Sequence, residues 1–339
     1  MPPMPAHRRA LITGTLFALA AGLMWGLVFI APTMLAEYPA ALLSMGRYLA
    51  FGLIALPLAW WDRAALRDLS RADWVEALKL SSVGNLLYYL CLAAAIQRSG
   101  GPLPTVIIGT LPVVIAITAN LRRHTPGTRV EARLPWARLA PSLALLAAGI
   151  ACVNQAELAQ MQAGTDLGSY ATGALLAVGA VACWTWYPLR NGEWLRAHAD
   201  RNPRVWATAQ GLATLPLAAA GYVLFWAWDA GFGSRTLAMP FPMPFGPQPA
   251  LFVGLMLGLG LLASWLGTLC WNEASQRLPP ALAGQLIVFE TLAALVYAFV
   301  YRAQWPQPLT LLGAALLIAG VVVGLRSGQP GPAVGAHQP

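Results

Sequence analysis

Residues 14–25 read GTLFALAAGLMW, and residues 173–184 read GALLAVGAVACW. Gly14, Leu16, Ala18, Ala21 and Trp25 recur 159 positions later as Gly173, Leu175, Ala177, Ala180 and Trp184. A second echo runs from 90–98 (LCLAAAIQR) to 269–277 (LCWNEASQR), where Leu90, Cys91, Ala95, Gln97 and Arg98 return at an offset of 179 as Leu269, Cys270, Ala274, Gln276 and Arg277. Both echoes lie in apolar runs long enough to cross a bilayer, and a duplicated set of such runs is the sequence mark of a transporter built from two repeats. The offset grows by 20 between them, so the second copy carries an insertion, and the Pro/Gly-rich stretch Asp229 to Gln248 lies in that interval.

Composition agrees. The chain is 58% hydrophobic and 10% charged, where an average soluble domain is about 25% charged. Hydrophobic runs of about 20 residues match a hydrocarbon core of ~30 Å at ~1.5 Å rise per residue. Barrel strands would be about half as long and would alternate apolar with polar residues. Ten transmembrane helices are expected near 12–31, 40–60, 74–97, 103–121, 137–155, 169–189, 205–227, 250–272, 280–301 and 307–325. The net charge of +8 is a topology signal. With the N-terminus inside, cytoplasmic segments hold sixteen arginines and outer segments only Arg98, Arg235 and Arg302, so both termini are expected in the cytoplasm. The same placement speaks against a nucleic-acid footprint. Five crossings per repeat is an odd number, so the second copy runs opposite to the first. The expected architecture is all-α, two inverted five-helix repeats at 12–155 and 169–326 with a disordered tail at 327–339, and such a pair can alternate access between the two sides.

A cleaved leader reading of Arg8, Arg9 and the run behind them fails, because the run continues to Ile30 and has a copy inside the chain. Cys91, Cys152, Cys183 and Cys270 stand inside apolar segments without metal-ligand spacing. No Walker loop, no His-Glu-x-x-His and no Gly-x-Ser-x-Gly occurs, and the four histidines fall in tails or cytoplasmic loops. The expectation is therefore a non-enzymatic carrier with no cofactor and no metal, whose partners are the bilayer and a small solute; monomer and homodimer both stay open.

The paired halves, the Trp midway along each first helix, an Arg in helix 2, and Pro112 or Glu290 midway in the fourth helix of each half resemble the drug/metabolite transporter superfamily, specifically its EamA-type ten-helix members. The pattern is similar to bacterial inner-membrane exporters of amino acids, including aromatic amino-acid exporters of the YddG kind. The resemblance implies export of small metabolites through a central cavity lined mainly by helices 1, 3, 4, 6, 8 and 9, with helices 5 and 10 peripheral and helix 2 in a lesser role. Efflux of amphiphilic cations or drugs by proton antiport is the other substrate class left open.

Individual residues follow from the cost of polarity in hydrocarbon, about 2.5–3.5 kcal/mol for an ionised side chain at a helix centre. Glu290, about ten residues into helix 9, is the candidate for substrate-amine binding and for proton coupling. Arg47, within helix 2, is a weaker candidate for clamping a carboxylate. Lys79 near the inner end of helix 3 can snorkel. Trp25, Trp184 and Trp265 sit deep, away from the interfacial belts where Trp is common, and are expected as flat cavity walls or packing groups. Asn85 and Tyr88, with Ser81 and Tyr89 alongside, make a polar stripe on helix 3 that must face water or protein. Gln285, Thr268 and Pro112 complete the set; Pro112 removes a helix hydrogen bond near the midplane. Gly22 with Gly26, Gly254 with Gly258 and Gly320 with Gly324 are expected to seat close helix contacts.

Overall fold

The computed structural model describes residues 6–99, 104, 107–121, 135–158, 167–230, 241–303 and 305–327, and among them every regular element is a helix. Besides the short helix Arg63–Arg67, in chain order these are α1 (Arg8–Met34), α2 (Ala40–Trp61), α3 (Arg71–Ser99), α4 (Leu111–Leu121), α5 (Trp136–Leu158), α6 (Leu167–Ala197), α7 (Pro203–Trp228), α8 (Pro249–Arg277), α9 (Pro280–Leu286 and Val288–Arg302) and α10 (Pro308–Ser327). Eight have the length and apolarity to cross a membrane; α4 and α10 are the shorter apolar helices. The loop arginines at 122, 123, 129 and 133, Arg235 with the centre of the Pro/Gly-rich insertion, and the tail from 328 lie outside the described residues.

The expected span 103–121 differs most. Among its described residues the continuous helix is Leu111–Leu121, 11 residues or about 16 Å at ~1.5 Å each, and a turn separates it from helical Ile107 and Ile108. The reason is local. Gly109 and Thr110 form a turn whose Thr110 hydroxyl bonds the Ile107 carbonyl at 2.7 Å, and Pro112 follows as the second residue of α4, where a missing N–H costs nothing. Pro112 thus opens a helix and does not bend one. α9 is interrupted in the same way at Ile287, between helical pieces Pro280–Leu286 and Val288–Arg302. By the 179 offset, Ile287 corresponds to Ile108, the residue just before the Gly109–Thr110 turn. The offset appears again in α3 and α8, where the helix widens to π geometry over Ser81–Leu87 and Gly260–Leu266, segments 179 apart at both ends. Such widenings cluster at functional sites.

Close contacts between helices fall where glycines permit them. A Cβ on Gly26 would stand 2.6 Å from that of Ala293, joining α1 to α9, and one on Gly149 would stand 2.8 Å from the Gly313 carbonyl, joining α5 to α10. Gly22 and Gly320 likewise abut α9 and α5. Gly254 and Gly258 do not behave as expected: nothing lies within 4 Å of either, because that stripe of α8 shares a face with exposed Val253 and Leu257 and points away from the protein. Trp60, Trp61 and Trp305 are exposed at helix ends, the belt position of interfacial indoles.

Candidate functional site

At the middle of the bundle a chamber is bordered by α1, α2, α3, α6, α8 and α9. Trp25 enters from α1, Arg47 and Tyr48 from α2, Asn85 and Tyr88 from α3, Trp184 from α6, Ser264 and Thr268 from α8, and Glu290 from α9. The π segments of α3 and α8 present Asn85 and Ser264, which are repeat mates at the 179 offset, from opposite sides. Trp25 is pinned by a hydrogen bond from its Nε1 to the Ala263 carbonyl at 2.9 Å, and Trp184 meets it edge-on at 4.9 Å between ring centres. Trp184 is itself sandwiched between Tyr88 at 4.6 Å and Tyr187 at 5.0 Å. The result is an aromatic wall, rigid because each ring is held by another.

Two opposite charges face this space. Arg47 and Glu290 are 4% and 3% exposed. Arg47 donates from Nε to Ser264 Oγ at 3.0 Å and lies over the rings of Tyr48 and Tyr89 at 4.8 and 4.6 Å. Glu290 accepts from the Tyr88 hydroxyl at 3.5 Å. Arg47 Nη1, Asn85 Nδ2, Trp184 Nε1 and Glu290 Oε2 make no hydrogen bond among the described residues. Unpaired buried polar atoms cost about 1–3 kcal/mol each, more when charged, so four around one small space are a concentrated cost that further polar contacts would relieve. The free volume, about 300 Å³, is so divided that roughly one water-sized guest fits.

Other expected residues lie apart from the chamber. Trp265 donates to Thr208 Oγ1 of α7 at 3.3 Å. Gln285 presses toward Gly324 of α10, beside Ser142 of α5, and its Oε1 has no partner. Ser81 bonds the Gln210 carbonyl at 3.0 Å. Tyr89 reaches the Val28 carbonyl at 3.3 Å and touches the site through Arg47. Pro112 starts α4, which does not border the chamber, whereas α2 does; the lesser role expected for helix 2 is corrected by Arg47 and Tyr48. Sequence reasoning missed Tyr48 and Ser264, although Ser264 was findable as the mate of Asn85.

It also missed a buried polar cluster toward the end of the bundle that carries Arg190, Arg196, Arg201 and Arg204. Asn191, fully buried, accepts from Trp206 Nε1 at 2.8 Å and Gln210 Nε2 at 3.2 Å and donates to Asn272 at 2.8 Å. Gln210 in turn accepts from the Tyr187 hydroxyl at 2.8 Å, which ties this cluster to the aromatic wall. Nearer the rim, Glu76 of α3 takes Arg190 of α6 (Nη2 to Oε2 3.1 Å) with Lys79 beside it at 3.8 Å. Arg204 of α7 grips Asp62 at the end of α2, and Trp194 bonds Asp73 at 3.0 Å. The ends of α2, α3, α6, α7 and α8 are thereby tied together on this side.

Three comparisons bear on the site. Residues 12–130 match the sequence model of the EamA-like transporter family. The chain is 51% identical over 317 residues to Inner membrane protein YtfF of Escherichia coli (strain K12), covering 94% of this chain and 96% of that protein. A shorter likeness, 38% over 79 residues, is to the "Probable terminal-alkyne amino-acid exporter" of Streptantibioticus cattleyicolor, covering 23% of this chain and 27% of that one. A solved crystal structure, 19% identical, superposes with a TM-score of 0.66 over 91% of this chain and 95% of its own, which is a likeness of fold.

Proposed function

This chain belongs to the EamA-like transporter family of the drug/metabolite transporter superfamily, and from that premise we propose that it is a secondary carrier exporting small zwitterionic metabolites, amino acids first, by alternating access. One observation carries the reading. Arg47 and Glu290 border a single chamber, each with an unpaired polar atom, and no hydrogen bond or ion pair joins them. Once the chamber widens beyond the water-sized space it holds here, a zwitterion supplies the missing partner to both. Its carboxylate takes Arg47 Nη1 with Asn85 Nδ2, and its ammonium takes Glu290 Oε2 below the aromatic wall, whose faces favour a cation or a flat side chain.

The two mirrored halves that alternating access needs are supported by the recurrence at one offset of the π segments, with a helix break near the same register in each half, the arrangement in which broken helices frame a transported solute. The arginine bias supports cytoplasmic termini. Placement in the bacterial inner membrane draws on the relative named for that membrane, and the amino-acid class on the exporter named above. An amphiphilic cation would meet the same carboxylate and indoles, but it would also meet the Arg47 charge at close range, which disfavours it.

The test is purified protein in liposomes loaded with labelled amino acids, with and without a proton gradient, for wild type and Glu290→Gln. Gradient-dependent amino-acid efflux that loses its gradient dependence in Glu290→Gln is expected. Movement of a lipophilic cation without any amino acid would overturn the substrate class, and flux indifferent to both gradient and substitution would remove proton coupling through Glu290.

A further inference from the structure

Two fissures flank the chamber. The outer one, about 820 Å³ with its mouth included, runs between α1, α3, α9 and the turn before α4, and is lined by Ile30, Ile96, Ala294 and Leu295 among others. It abuts the chamber, because Phe29 follows Val28 and Thr291 follows Glu290, one of each pair lining either space. The inner one, about 250 Å³, runs between α4, α6, α8 and α9. The two offsets of the duplication carry part of the outer lining onto the inner: Phe29 becomes Pro188, Ile30 becomes Leu189, Ile96 becomes Ser275 and Ala294 becomes Ile115, all four lining it. The two spaces thus share corresponding residues in the two halves, one wide and one narrow.

What narrows the inner fissure toward the chamber is specific. Trp271, 2% exposed, lines it and packs on its other side against Trp25 of the chamber at 5.3 Å. This indole is the partition between fissure and chamber, and its mate in the outer half is the smaller Leu92. Across the mouth, Arg196 of α6 reaches the Ser275 carbonyl of α8 at 3.4 Å. We propose that the inner fissure is the closed cytosolic port of the chamber, with Trp271 as its plug and Arg196 as the residue that draws an incoming substrate carboxylate to its mouth. The Arg196 part rests on the zwitterion reading; the plug does not.

The experiment uses the full chain with Cys91, Cys152, Cys183 and Cys270 replaced and a single cysteine introduced. In inside-out membrane vesicles, Ser275→Cys is expected to react slowly with a membrane-impermeant maleimide, and at least ~10-fold faster when Trp271→Ala is added; Leu189→Ala widens the same seal by a smaller step should Trp271→Ala fail to insert. Equal labelling with and without the indole and with and without Leu189 would overturn the plug. For Arg196, Arg196→Gln should raise the KM for cytosolic amino acid about tenfold at low ionic strength and less at high, as for a charge at a binding rim, with the maximal rate within about twofold and Arg196→Lys recovering part of the loss. An unchanged KM, or a fall in maximal rate alone, would overturn that role. Labelling is blind to the solute carried, so Trp271-dependent labelling together with no amino-acid flux would sink the zwitterion reading and support the plug.

Discussion

Replacing Arg47 by Met removes the charge while keeping most of the side chain's volume, and the structure says how much that should cost. Among the described residues the guanidinium donates one hydrogen bond, Nε to Ser264 Oγ at 3.0 Å, and makes two ring contacts at 4.8 and 4.6 Å, with Nη1 unpaired. A substrate carboxylate completing Nη1 makes a desolvated charge-assisted bond, and truncating one side of such a pair costs about 2–5 kcal/mol. At about 1.4 kcal/mol per decade the lower end is already ~30-fold. The lower end applies because Asn85 Nδ2 remains to hold the carboxylate. Arg47→Met should therefore lower kcat/KM for an amino acid about 30-fold in proteoliposome exchange. The same amino acid without its carboxylate, the corresponding amine, has no such contact to lose and should change less than about 3-fold. The lost ring contacts, ~0.5–2 kcal/mol each, are offset by removal of a buried, incompletely paired charge, so the melting temperature in detergent should move little. Equal loss for amino acid and amine at an unchanged melting temperature would refute a carboxylate clamp and make Arg47 a structural residue.

Asn191→Leu strands three partners at 2.8–3.2 Å; at roughly 0.6–1.7 kcal/mol per interhelical bond the loss is about 2–5 kcal/mol, read as a lower melting temperature by Trp fluorescence, and adding Asn272→Leu should cost less than the sum. Gly84→Ala places a methyl 2.1 Å from the Tyr187 ring, so either the ring leaves its 2.8 Å bond to Gln210 or α3 retreats; a loss of about 1–3 kcal/mol is expected. Gly254→Ala, with nothing within 4 Å, should instead be neutral or stabilising by up to about 1 kcal/mol through helix propensity. Equal effects of these two alanines would contradict the packing described.

Much of the chamber was legible because intramembrane polarity is costly and therefore sparse. Glu290, Asn85, Tyr88, Trp25, Trp184, Thr268 and Arg47 stood out as such, and the structure brings them to one space. Trp265, Gln285, Ser81 and Pro112 stood out by the same criterion and serve helix contacts or a helix start instead, since a polar group satisfied by a neighbouring carbonyl looks, in one dimension, like one lining a cavity.

Apolar run length and the two offsets determined by themselves that this chain is a membrane protein with internal repetition, since the thickness of hydrocarbon dictates the first and duplication leaves the second in register. Only the tertiary structure decided which polar groups lack partners, that Gly254 and Gly258 face outward, and that α2 reaches the chamber. Those depend on the rotation of each helix about its own axis and on which neighbour it meets, and lipid imposes no polar-against-apolar stripe from which that rotation could be read.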